Sequence, residues 1–208
     1  MGGGLGMATF RSEPFLWIHL AGIVVVPLAL LGMACGLAVG TPFTPYGLEI
    51  FFLLAIAWAP IMAMQWFRPF EIFSLLIVAI RPGSLTESQR RVLALFKEPK
   101  QRWLTLLGGL LSLALFWGVY LYAPMTYALV VNVPPIRVLG LLMAAIAYLM
   151  VNLFLQVPLS VLGVLLTSQA NYELRPPIEP ETIPKSFTVP GIKLRQIPII
   201  PKLESYSS

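Results

Sequence analysis

The chain has 208 residues, 58% hydrophobic and only 11% charged, and that balance excludes an ordinary soluble domain in favour of an integral membrane protein. Its net charge of +5 comes from 14 Lys and Arg against nine Glu and no Asp, and no basic run is interleaved with aromatics in a soluble module, so nucleic acid is not an expected partner. One cysteine, Cys35, and one histidine, His19, exclude a disulfide framework, a thiolate metal site and His-pair catalysis.

Residues 1–13 read as a short N-terminus, with Met7 an alternative start to Met1. The first apolar run is too long for a signal-peptide core and lacks a strong basic flank, so it is expected to remain as an anchor. Gly32-Met33-Ala34 before Cys35 is a poor lipoprotein cleavage box. Ser12 can cap the first helix, Glu13 suits its positive end, and Pro14 suits its first turn. The span then runs from Phe15 to about Gly40, kinked near Pro27. Gly22, Ala29, Gly32, Gly36 and Gly40 allow close helix contact.

An uncharged turn leads to a second span from about Tyr46 to Trp66, with a second kink at Pro60. Glu49, just inside its start, is expected at headgroup level; the alternative is a buried ionic role. The span ends in Gln65, two aromatics, Arg68 and Pro69. Phe70 to Ile80 is then too short to cross a bilayer, which needs ~20 helical residues. It reads as a short interfacial helix or, alternatively, a re-entrant segment, closing a first unit at residues 14–82.

Residues 83–102 form a linker in which Ser84-Leu85-Thr86-Glu87 has capping-box spacing, starting a helix that runs to about Glu98. Leu85, Val92, Leu93, Leu95 and Phe96 share one face, predicting an amphipathic helix that meets either lipid headgroups or a protein partner. The second unit, 103–168, has a third span from Trp103 to about Tyr122 and a low-charge turn from Ala123 to Pro135. Its fourth span starts near Val138 and reaches about Leu155. Gln156-Val157-Pro158 is expected to break that span, leaving Leu159 to Thr167 as another short apolar helix. Trp17, Leu20 and Gly22 recur as Trp103, Leu106 and Gly108, so the order of span, span, polar-Pro break and short helix reads as a parallel repeat.

Arg68, Arg81, Arg90, Arg91, Lys97, Lys100 and Arg102 lie between spans two and three, whereas the two opposite turns hold only Arg137. The positive-inside rule then puts both termini and the linker in the cytoplasm. In the tail, residues 169–208, seven prolines oppose helix and favour extended chain. It reads as a tether, or as a docking peptide, because Ile178, Ile183, Phe187, Val189, Ile192, Leu194, Ile197, Ile199, Ile200 and Leu203 are too apolar for an inert linker.

The pattern therefore predicts an all-α integral membrane protein with four transmembrane helices in two hairpins, each followed by a short interfacial helix, plus a Pro-rich tail. No catalytic set or metal-ligand spacing is visible, so no enzyme is expected. His19, one turn inside the first span, is the candidate cofactor ligand, for a chlorophyll magnesium or a haem iron, or else a hydrogen-bonded interface residue. Gln65, Asn152 and Gln156 are expected to satisfy backbone groups freed by proline; the alternative is that they line a channel or transport path.

Four stretches carry a resemblance: Ser12 to Gly22 (SEPFLWIHLAG), Gln65 to Pro82 (QWFRPFEIFSLLIVAIRP), Leu85 to Lys97 (LTESQRRVLALFK) and Leu153 to Ser168. In them the chain resembles the cyanobacterial low-complexity tail membrane proteins; its tail is similar only in being biased and proline-rich. The resemblance implies a thylakoid location and association with photosystem II or its assembly intermediates, with no enzymatic activity and no mapped ligand residues. The expectation is an accessory or assembly subunit that docks on a photosynthetic membrane complex, with chlorophyll or carotenoid a candidate cofactor at a shared interface.

Overall fold

The computed structural model describes residues 9–75, 78–189 and 191–195. The choice between Met1 and Met7, and the tail aliphatics Ile197, Ile199, Ile200 and Leu203, lie outside the described residues. The chain is mostly helical, and four helices are long and apolar enough to cross a membrane: α1 (Pro14–Ala38), α2 (Gly47–Phe67), α4 (Pro99–Val130) and α5 (Arg137–Leu165), with α3 (Glu87–Leu95) between the pairs. Both expected kinks have a local signature. A 3-10 turn at Gly22–Val24 precedes Pro27, and a π turn at Leu54–Trp58 leads into Pro60, each absorbing a hydrogen bond that proline cannot make. Beyond Tyr122 the chain stays helical to Val130, part of it as 3-10 turn, where the composition predicted a turn.

The bundle is organised around α5, which packs along α1 on one side and α4 on the other. Small residues let α1 and α5 touch backbone to backbone. A Cβ at Gly36 would sit 2.6 Å from Ala144 N, and one at Gly140 would sit 2.5 Å from Gly36 O. Gly40 ends α1 with φ +70, a conformation that favours glycine, and folds onto the Pro135 carbonyl.

Pro158 does not break α5. The helix runs unbroken for 29 residues, correcting the expected stop near Leu155 and the separate short helix after it. An internal proline costs ~3 kcal/mol, but Val157, Val161 and Val164 are buried on one side of this stretch and outweigh it. At ~1.5 Å per residue α5 is about 44 Å long, against a hydrocarbon layer of ~30 Å, so its last turns project out of the apolar layer.

Those turns support a second core. Phe10 and Phe15 from the N-terminal segment, Phe73 and Ile80 after α2, Leu93 and Phe96 from the linker, and Tyr172, Ile183 and Phe187 from the tail bury one another there, forming a cap on one end of the bundle. The linker helix α3 is capped by Thr86, whose hydroxyl accepts from Gln89 N while Gln89 Oε1 accepts from Thr86 N; the box lies two residues beyond the Ser84–Glu87 spacing. Its apolar face is the predicted one, but it is buried in the cap rather than laid on lipid.

The stretch read as a short interfacial helix holds two strands instead among its described residues. β1 (Ser74–Leu75) pairs antiparallel with β2 (Val78–Ile80), and the tail strand β3 (Ile192–Leu194) joins β2 in parallel, giving the order β1-β2-β3. The tail is no plain tether either. It forms helical turns α6 (Gln169–Glu173) and α7 (Ile183–Ser186), the latter with Pro184 in its first turn, where the missing N–H is not needed.

Candidate functional site

The cap is built by hydrogen bonds between parts of the chain some 90 to 150 residues apart. Thr188 N donates to Pro69 O (3.0 Å), Glu71 N to Thr188 O (3.0 Å) and Arg81 N to Leu194 O (2.7 Å). Arg68 Nη2 donates to Phe187 O (3.1 Å), and Arg90 Nη1 to Ile178 O (3.2 Å). Arg11 places its guanidinium on the exposed carbonyls at the end of α5, with Nε to Leu165 O (2.9 Å) and Nη2 to Thr167 O (2.6 Å). Phe10 stacks on Tyr172 with centroids 4.7 Å apart, locking the N-terminal segment to the tail. Among the described residues β3 is an edge of the sheet, and Ile192 is 70% exposed on it.

Glu71 lies inside this construction. Its Oε1 accepts from Phe73 N (3.1 Å), while Oε2 meets no partner among the described residues. Burial, only partly offset by the Phe73 N–H, pushes its carboxyl up to about 7. It forms no ion pair with Arg68, whose head is on tail carbonyls.

His19 lines a groove where the cap meets the membrane bundle. The groove encloses about 340 Å³, with Ile18, Gly22, Phe70, Leu153, Phe154 and Pro158 among its walls. This is the small end of the ~300–1,000 Å³ of ordinary ligand pockets. Nδ1–H donates to Phe15 O (2.8 Å), which leaves Nε2 as the ring's acceptor nitrogen, with the Ser74 main chain also beside the ring. The Phe70 ring is 5.7 Å away. One imidazole nitrogen among apolar walls fits part of an apolar ring or chain laid against it; among the described residues no group of three or more His, Cys, Asp or Glu gathers to hold a metal.

The other polar residues singled out from sequence do not come together. Gln65 Oε1 accepts from Phe70 N, satisfying the chain just past Pro69. Asn152 sits midway along α5, where its Oδ1 meets the Ser112 hydroxyl and its Nδ2 donates to Tyr148 O (2.8 Å). Gln156 Nε2 meets Met62 Sδ at 3.2 Å. These groups tie α2, α4 and α5 to one another rather than facing a shared lumen.

Glu49 is at the opposite end of the bundle, in the first turn of α2, and its side chain is buried within the protein. It is 1% exposed and paired with Arg137, which is 7% exposed. Arg137 Nε donates to Glu49 Oε1 (2.6 Å), Nη2 to Oε2, and Nη1 to Leu37 O (2.7 Å) and Val39 O (3.0 Å). One fork thus ties α1, α2 and α5 together. A signal for it was present: Glu49 and Arg137 are the two charged residues of the opposite turns.

Among known proteins, a family model described as low-complexity tail membrane protein-like matches residues 12–199, and the chain belongs to that family. No curated protein and no solved structure matches it.

Proposed function

We propose that this family member is a non-enzymatic accessory or assembly subunit of a photosynthetic membrane complex, photosystem II foremost, in the thylakoid membrane. Its family membership and the resemblance in the Ser12–Gly22 and Gln65–Pro82 stretches support that reading. The cap is its docking face. The observation that carries this is the tail strand: β3 adds to the protein's own sheet and turns an edge bearing Ile192 outward, a surface suited to strand or side-chain docking by a partner. Arg68, Arg81, Arg90, Arg91, Lys97 and Arg175 lie on the cap end while Arg137 is buried at the other, which supports placing the cap and both termini on the cytoplasmic (stromal) side. A pigment shared with the partner, chlorophyll or carotenoid, would be held in the groove, with His19 in its wall. Were that pigment a chlorophyll, His19 is the residue that would hold its magnesium, a Lewis acid.

The test is co-purification in mild detergent of the full chain beside a chain ending after Val189, which keeps the buried Phe187 and loses β3. Photosystem subunits should accompany the full chain and fall away with the shortened one. A full chain that purifies alone, without photosystem subunits, overturns the proposal.

A further inference from the structure

A second recess opens where the end of α2 meets the start of α4. It encloses about 70 Å³ and is lined in part by Gln65, Trp66, Lys97, Glu98, Gln101 and Arg102. Two features make it electropositive. Arg102 lies over the Trp66 ring (5.8 Å), and among the described residues Lys97 Nζ meets the Phe67 carbonyl at 3.5 Å and the Phe187 ring at 4.9 Å. Glu98, the acid in the lining, is drawn off by Lys100 (2.9 Å) and Arg175 (3.2 Å), so among the described residues no carboxylate pairs with Lys97, Arg102 or the neighbouring Arg68. Burial, and then repulsion from Arg68 and Arg102, hold the Lys97 amine below the usual lysine range, as expected where like charges gather without a counterion.

Gln101 is 6% exposed, and its Nε2 donates to Ser160 O (3.2 Å), tying the start of α4 to α5 beside the recess. Size and surroundings identify the source. Seventy cubic ångströms is about two waters' share of liquid volume, enough for one oxyanion and its substituent but not for a nucleotide. Phe67 and Trp103, both more than 70% exposed beside the recess, mark it as lying at the level of the membrane interface. From there Trp103, Leu106, Leu107 and Leu110 form one exposed apolar stripe down α4 at helical spacing.

We propose that this recess binds the headgroup of an anionic membrane lipid. Its oxyanion sits between Lys97 and Arg102, and an acyl chain follows the Trp103–Leu110 stripe. The inference is independent of which complex the protein joins. It is tested on delipidated full-length protein in neutral detergent, by native mass spectrometry and thermal shift. Phosphatidylglycerol should bind and stabilise it, while phosphatidylcholine with the same chains should not. The pair Lys97→Gln and Arg102→Gln should lower phosphatidylglycerol affinity roughly 30-fold. Both side chains are exposed, so circular dichroism should stay unchanged; if the double variant misfolds, Arg102→Gln alone carries the test, and Lys97→Arg should retain binding. Equal binding of phosphatidylcholine, equal stabilisation by inorganic phosphate, or unchanged phosphatidylglycerol affinity in the folded variants would each overturn the proposal.

Discussion

The chain leaves its second and fourth spans through similar text: a glutamine, a proline within four residues, and a short apolar run. The outcomes differ completely. After α2 the helix ends at Phe67 and the chain turns into strands; through Pro158 the helix α5 simply continues. At the first exit Arg68 leaves the helical region (φ −139, ψ 77), which a residue ahead of proline disfavours, and Gln65 and the tail take the freed main-chain groups. At the second exit Val157, Val161 and Val164 keep a helical face that the cap buries. A proline is therefore a weak instruction. What waits beyond it in space decides whether a helix stops.

The contrast can be broken most severely from the tail. Phe187→Ala removes a fully buried ring beneath the first exit and should cost about 3–5 kcal/mol. Hydrogen exchange should then rise in Val78–Ile80 and protease sites open in the tail, while α5 stays protected; unchanged exchange in β2 would show that the first exit does not depend on the tail. Arg137→Met is the matching change at the far end. Leaving Glu49 buried without its partner should cost a comparable amount, about 3–5 kcal/mol, lowering the melting temperature in detergent with the cap's protease resistance intact.

Glu71 sharpens the comparison through pH. Its folded value of about 7 exceeds the ordinary 4.5, so the fold favours the protonated acid. That contribution is fully present below about 4.5 and is lost as pH rises through 7, on the order of 3 kcal/mol in all. Tail proteolysis followed from pH 4 to 8 should accelerate over that window, and Glu71→Gln should flatten the profile. The smallest effect belongs to the second exit. Pro158→Ala should leave α5 in place and stabilise the protein by about 1 kcal/mol in thermal unfolding, since a helix already continuous gains the missing hydrogen bond.

Much of the site's material was legible, but not its assembly. Leu85, Val92, Leu93, Leu95 and Phe96 were recognisable as one buried face because helical spacing alone puts them together; that the cover would be Phe10, Tyr172 and the tail was not. Phe70 to Ile80 looked helical because an unbroken apolar run has no period to distinguish strand from helix. Its partner β3 lies more than a hundred residues away, and no local preference announces such a pairing.

The sequence by itself determined the four membrane crossings. In hydrocarbon every peptide group must be satisfied within its own segment, so about twenty apolar residues dictate a helix whatever their neighbours do. The tertiary structure alone decided the rest: that α5 runs through Pro158, that Glu49 and Arg137 meet inside the bundle, and that Ser74–Leu75 and Val78–Ile80 become strands of a cap closed by the tail. Outside the apolar layer water can satisfy any backbone, so several local conformations lie close in energy. Burial against distant parts of the chain then selects among them.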